Sequence, residues 1–242
     1  MGRLDFSPFQ ESSSILNKVL SNKFKPITSI VFGNSSYKLT EQLYIEIPEL
    51  KERVTPGEEK AIGTKIFELM PEIFFNVQPK IGEYIRVLGR TNKRELKWIK
   101  RKYIADHPNL EKWKVFLPKS RGAGAIGENG ATSVIADPSL GEPFVAHTQT
   151  FMSFGAFTSE KDAKSLLKYM KTKFCRTLLG TLKVTQHNSI GTWKNVPIQD
   201  FTKNSDVDWS KSIDDIDQQL YNKYGLNKKE IDFIESNVKS MS

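Results

Sequence analysis

Apolar residues recur at helical spacing in several stretches of the chain and alternate at strand spacing through its centre. Ser12–Phe24 is predicted to be a helix, with Ile15, Val19 and Leu20 on one face and Ser12, Ser13 or Ser14 as its N-cap. Ile27–Phe32 reads as a short strand ending at Gly33-Asn34. Residues 34–65 mix Glu-rich and Lys-rich pieces around a turn at Pro56-Gly57 and predict no clear element. The centre reads as β. Gly82–Leu88 puts Tyr84, Arg86 and Leu88 on one face and Ile85 and Val87 on the other. After a polar turn at Gly89–Arg94, Leu96–Ile104 sets Leu96, Trp98, Lys100 and Lys102 against Lys97, Ile99, Arg101 and Tyr103. The pattern predicts a hairpin with basic side chains at its tip and along its strands. Trp113–Leu117 and Phe144–Phe151 are further strands.

Thr158–Leu182 carries the clearest helical stripe: Ala163, Leu166, Leu167, Met170, Phe174, Leu178 and Leu179. Thr158 or Ser159 caps it, and Glu160 and Asp162 sit in its first turn, where the helix dipole favours acids. A polar loop, Thr185–Thr192, follows, and Asn195–Phe201 reads as a strand or extended piece held by Pro197. The tail predicts two short helices, around Ser212–Tyr224 and Asn227–Val238. Gly225 stops the first, and Asn227 with Glu230 forms a capping box on the second. The expected fold is α+β: a mixed or antiparallel sheet with a long packed helix and a small helical C-terminal tail. Residues 1–199 are expected to form one domain, with 200–242 as a helical extension packed on it.

Composition narrows the classes. With 15 Phe, 7 Tyr and 4 Trp in 242 residues, most of the chain has apolar area to bury and is not disordered. One cysteine, Cys175, excludes a disulfide scaffold and a four-cysteine zinc site, and points to a reducing compartment. No apolar run approaches a membrane span, and the first residues lack the core of a signal peptide. Phe6 stands where a myristoylation motif needs Ser or Thr. A cytoplasmic setting with no membrane partner is expected.

The formal net charge of +8 is uneven. Residues 79–121 carry 13 basic and 4 acidic groups, and residues 161–194 carry 8 and 1. Residues 200–235 are acidic, with 5 and 9. A basic block on a folded domain suggests a polyanion, most often nucleic acid; a solvated face is the plain alternative.

The run Gly122-Ala123-Gly124-Ala125-Ile126-Gly127 fits G-x-G-x-x-G after a strand, but Asn129-Gly130 and Pro138 break the helix that a dinucleotide site needs. A small-residue loop carrying Lys119 and Arg121 to a phosphate or base edge suits these residues better. His107, His147 and His187 are not spaced as helix-borne metal ligands, and no G-x-S-x-G elbow is present. Asp137 and Glu142 lie among turn residues. Cys175 falls among core positions. The loop Thr185–Lys194 gathers Gln186, His187 and Asn188, whose side chains can read base edges, beside phosphate-binding types including Lys194.

Several segments together resemble a known family. They are Trp113-Lys114-Val115-Phe116-Leu117-Pro118-Lys119-Ser120-Arg121-Gly122-Ala123-Gly124, Gly155-Ala156-Phe157-Thr158-Ser159-Glu160, Tyr169–Arg176 and Thr185-Gln186-His187-Asn188. Val196–Phe201, Ile216–Tyr221, Lys223–Leu226 and Ile231–Glu235 continue the order. From about Trp113 onward the chain resembles the C-terminal target-recognition domain of bacterial adenine-specific DNA methyltransferases, including the combined type II restriction-modification enzymes. In that family the methyl-donor fold lies upstream, with an Asn-Pro-Pro-Tyr-type tetrapeptide for the flipped adenine. This chain has no Asn-Pro-Pro or Asp-Pro-Pro sequence. The resemblance therefore implies a non-catalytic DNA-recognition domain that positions double-stranded DNA for an adenine-N6 methyltransferase, with or without a fused endonuclease. S-adenosylmethionine would bind the associated catalytic domain, in the same or a partner chain, and no cofactor or metal this one.

Candidate DNA-binding residues are Arg86, Arg90, Lys93, Arg94, Lys119, Arg121, Gln186, His187, Asn188 and Lys194; none is expected to be catalytic. The acidic tail is expected to stay off DNA. The competing reading is a stand-alone methyltransferase or nuclease using the Gly122–Gly127 loop, which bound S-adenosylmethionine or metal-dependent cleavage would reveal. An RNA-binding or interaction protein ranks last, since the aromatic strand signature of an RNA recognition motif is missing.

Overall fold

The computed structural model describes residues 9–120, 126, 130–181 and 188–241. The fold is α+β. Its helices are α1 (Gln10–Ser21), α2 (Gln42–Glu46), α3 (Ile66–Leu69), α4 (Glu160–Lys171), α5 (Lys173–Gly180), α6 (Ile213–Lys223) and α7 (Lys228–Asn237). Its strands are β1 (Val31–Phe32), β2 (Tyr84–Arg90), β3 (Arg94–Lys100), β4 (Trp113–Pro118), β5 (Ser139–Gly141), β6 (Val145–His147) and β7 (Phe151–Phe157). The chain divides into two compact units: Met1–Val31 with Ser120–Leu140 and Ser159–Ser242, and Phe32–Lys119 with Gly141–Thr158. The expected boundary at 199/200 falls inside the first of these. Glu230 on α7 is buried and accepts hydrogen bonds from Ser14 and Lys18 of α1, each at 2.7 Å, which ties the tail to the chain's opening helix.

The first unit is helical. Ile15, Leu16 and Val19 of α1 are buried, whereas Leu20, expected on that face, is exposed. No serine caps α1. Phe9 holds the N-cap position, Ser12 is buried within the helix, and Ser14 serves Glu230. The single long helix expected over Thr158–Leu182 is two helices. Thr172 is extended (φ −60°, ψ 146°) and its hydroxyl accepts the Cys175 N–H at 3.1 Å, opening α5. The Asp217 carboxylate accepts the next two free amides, Lys173 at 2.9 Å and Phe174 at 2.8 Å. The apolar stripe runs on across this break, so periodicity alone could not reveal it. Cys175 is packed in the core as expected. Ser159 and Ser212 cap α4 and α6, the Asn227–Glu230 capping box forms, and Gly225 ends α6 at φ +63°. Ile27–Ile30 is a 3-10 turn rather than strand. Asn195–Phe201 makes only an isolated bridge, Pro26 to Pro197, where prolines lack the N–H that a ladder needs.

The second unit holds most of two sheets. β2 pairs antiparallel with β3 and parallel with β6, giving the order β3-β2-β6. β4 pairs antiparallel with β7. The strand expected over Phe144–Phe151 is split, because the chain turns after Thr148, whose carbonyl accepts the Phe151 N–H at 3.1 Å. β3 stops at Lys100, and Arg101–Tyr103 form a 3-10 turn. Ile85, Val87 and Ile99 face a core completed by Leu39, Leu43, Leu50, Ile62, Ile66, Phe67, Met70 and Ile73. The stretch after residue 34, unreadable as elements, thus supplies much of the core that holds the hairpin.

Candidate nucleic-acid interface

The hairpin presents its basic residues because its register is fixed. With Ile85, Val87 and Ile99 buried on one side, Arg86, Leu88 and Arg90 must face the other, as must their partners. The direct pairs are Arg86 with Trp98, Leu88 with Leu96, and Arg90 with Arg94. Gly89 makes the close packing beneath possible, since a Cβ there would lie 2.4 Å from Phe67 Cε2.

Two like charges therefore stand directly opposite each other at the tip, an arrangement that is unfavourable in a sheet. Both are exposed, as is Lys93 in the turn between them. The Arg94 guanidinium lies over the Phe151 ring, 5.8 Å from its centroid. Phe151 is in register with Pro118, and Lys119 donates its N–H to Thr150 O at 2.8 Å. Arg94 is thus seated on Phe151 and Lys119 is tied to the neighbouring Thr150, while Arg90 and Lys93 stand at the hairpin tip beside Arg94. Among the described residues, Arg90, Lys93 and Lys119 have no ion-pair partner.

Much of the remaining basic block is answered internally. Arg86 Nη2 meets Glu142 Oε2 at 2.5 Å, and its guanidinium lies 5.5 Å from the centre of the Trp98 ring. Lys102 pairs with Glu46 at 2.6 Å, and this hydrogen bond, with those from Gln42 and Tyr103, brings the Glu46 carboxyl down to about 2. Arg101 pairs with Asp106. Lys114 is fully buried and donates to three carbonyls, Asn109 at 2.8 Å, Lys112 at 2.9 Å and Leu110 at 3.0 Å. Burial brings its ammonium down to about 7.

Two of the three histidines meet in a buried polar cluster that linear spacing gave no sign of. Asn109 is its hub. Its Oδ1 accepts from Tyr37 Oη at 2.5 Å and His107 Nδ1 at 2.7 Å. Its Nδ2 donates to Ser153 Oγ at 3.1 Å and Gly155 O at 3.2 Å. Ser153 in turn lies 3.3 Å from His147 Nε2, while His147 Nδ1 donates to Thr148 O at 2.9 Å. Burial pulls His147 down to about 3, so its imidazole is neutral, and lowers His107 as well. Ser153 and His147 have the spacing of a nucleophile and base, but both are buried and their remaining partners are amide groups, so the cluster braces the sheet. Among the described residues, no group of three or more His, Cys, Asp or Glu could hold a metal ion.

The other candidates lie in the first unit or outside the described residues. Asn188 is buried, so its amide is not presented to solvent as base readout requires. Lys194 is exposed beside the 3-10 turn Ile190–Trp193. Arg121, Gln186 and His187 lie outside the described residues, as does the Gly122–Gly127 run apart from Ile126. Asp137 and Glu142, weighed as a carboxylate pair, have separate cationic partners, Lys171 at 3.2 Å and Arg86. The parts that sequence reasoning missed are Glu142, Thr150 and Phe151, which position Arg86, Lys119 and Arg94 from 30 to 60 residues away. Among the described residues, no helix is long and apolar enough to cross a membrane. No protein-family model matches the chain, and no curated protein matches it.

Proposed function

We propose that the chain is a DNA-recognition module of a restriction-modification system, grasping duplex DNA so that an associated catalytic domain can methylate adenine. The observation that carries this reading is the hairpin tip. Arg90 and Arg94 are opposed in register, with Lys93 between them and Lys119 tethered alongside. Arg90, Lys93 and Lys119 have no ion-pair partner among the described residues, and a phosphate backbone supplies several anions at once. Arg90, Lys93, Arg94 and Lys119 would contact phosphates and set register. Base readout would fall to residues other than Asn188, which is buried. The methyl donor would be held by the catalytic domain, which also flips the target base.

The test is a titration of the purified chain against labelled random-sequence duplex, with and without S-adenosylmethionine. Binding that the donor leaves unchanged is expected. A donor-dependent gain would assign a cofactor site to this chain and overturn the reading, as would failure to bind duplex at low salt.

A further inference from the structure

We propose that the open face of the β2–β3 hairpin is a stacking platform for an unpaired DNA strand. The proposal rests on the reading of this chain as a DNA-binding module and extends it from duplex to single strand. Tyr84, Arg86 and Arg90 share that face with Arg94, Leu96 and Trp98; Leu88 between Arg86 and Arg90 is buried against Phe116, Val145 and Phe151, so the exposed stripe follows β3. Phe75 extends the row beyond β3. It exchanges both backbone hydrogen bonds with Trp98, at 2.8 and 2.7 Å, so Phe75, Trp98 and Arg86 stand side by side on one surface. The Phe75 and Tyr84 rings meet edge to face with centroids 5.9 Å apart, and the Arg86 guanidinium covers the Trp98 ring.

These are core-type side chains that the fold leaves in contact with water. Phe75 is 36% exposed and Leu96 43% exposed, while Ile99, next to Trp98, is fully buried on the reverse side. The stripe is not merely apolar. Its one end carries three aromatic rings with an arginine among them, and its other end is the Arg90–Arg94 pair. Glu142 is already matched to Arg86. Partly exposed rings flanked by guanidinium groups supply the two elements that single-stranded nucleic acid uses: stacking for bases and positive charge for the backbone. An apolar protein surface would use the rings but not Arg90, which is exposed and has no ion-pair partner among the described residues. A strand leaving the duplex at the tip would run along this stripe, its bases on Trp98 and Tyr84.

The experiment is fluorescence anisotropy of a labelled oligothymidylate, which forms no duplex, beside the labelled random duplex. The wild-type chain is expected to bind both. Trp98→Ala is expected to weaken oligothymidylate binding at least about 5-fold, the lower bound for loss of one stacked base, and to leave duplex affinity unchanged. Trp98→Phe keeps a flat ring and is expected to retain most of the binding. Tyr84→Ala provides an independent variant if Trp98→Ala does not fold, with the same selective loss expected. Duplex binding without oligothymidylate binding would overturn the platform and leave the duplex reading standing. Binding of neither would remove both. An equal loss for the two ligands would make the face part of the duplex surface and also overturn the proposal.

Discussion

Replacing Lys114 by Met should change how stability depends on pH. Lys114 is fully buried, and none of its three partners is a carboxylate; all are backbone carbonyls. Burial lowers its pKa from 10.5 to about 7. In the unfolded chain the amine returns to its ordinary value, so between about pH 7 and 10.5 the unfolded state binds more protons than the folded one. Stability must then rise with pH across that window, and the gain must vanish as pH falls through 7. From pH 7 to 9 the native amine goes from half protonated to neutral while the unfolded amine keeps its proton, which amounts to about 2 kcal/mol. Asp217, which burial raises to about 7, acts in the opposite sense but mostly below pH 7, so it blunts the rise only slightly. Urea unfolding of wild type and Lys114→Met at both pH values isolates the contribution of this one amine. The stability of wild type minus that of the variant should rise by about 2 kcal/mol on going from pH 7 to 9. A signed difference that stays constant or falls would refute the argument that an ammonium without a counter-ion is held in this core.

Two further substitutions probe the packing behind the hairpin. Gly89→Ala places a methyl group 2.4 Å from the Phe67 ring and should cost about 1–3 kcal/mol, seen as a lower Tm in a thermal scan. An unaltered Tm would show that Phe67 can move aside without penalty. Asn109→Ala removes the partner of Tyr37, His107 and Ser153 at once and should cost more than about 2 kcal/mol. Chemical denaturation would expose the argument if this variant matched wild type.

What the sequence made legible was local. The face of the hairpin followed from alternation alone, because Ile85, Val87 and Ile99 leave Arg86, Arg90 and Trp98 no other side. The caps at Ser159, Ser212 and Asn227 needed only short-range hydrogen bonds. The break at Thr172 was invisible because its cause, Asp217, lies more than 40 residues away and the apolar stripe continues through it. The core contribution of residues 37–74 was hidden for a different reason. Its elements are short helices of three to six residues, too short to show a period. Within the site, types and face were readable, but neither the opposition of Arg90 and Arg94 nor the seat of Arg94 on Phe151 was. Register and long-range packing fix those. Asn188 shows the converse, since a residue suited to base edges is buried.

The central claim is that the tip of the hairpin grips phosphates, and the salt dependence of duplex binding tests it most directly. Four phosphate contacts, from Arg90, Lys93, Arg94 and Lys119, predict a slope of about −3.6 in log affinity against log salt. Affinity should then fall on the order of 100-fold between ~50 and ~200 mM salt. Removing Arg90 and Arg94 together, as Arg90→Ala with Arg94→Ala, should weaken binding and reduce that fall to about 10-fold. Binding by the double variant with the wild-type slope would contradict the account, because the phosphates would then be held elsewhere on the chain.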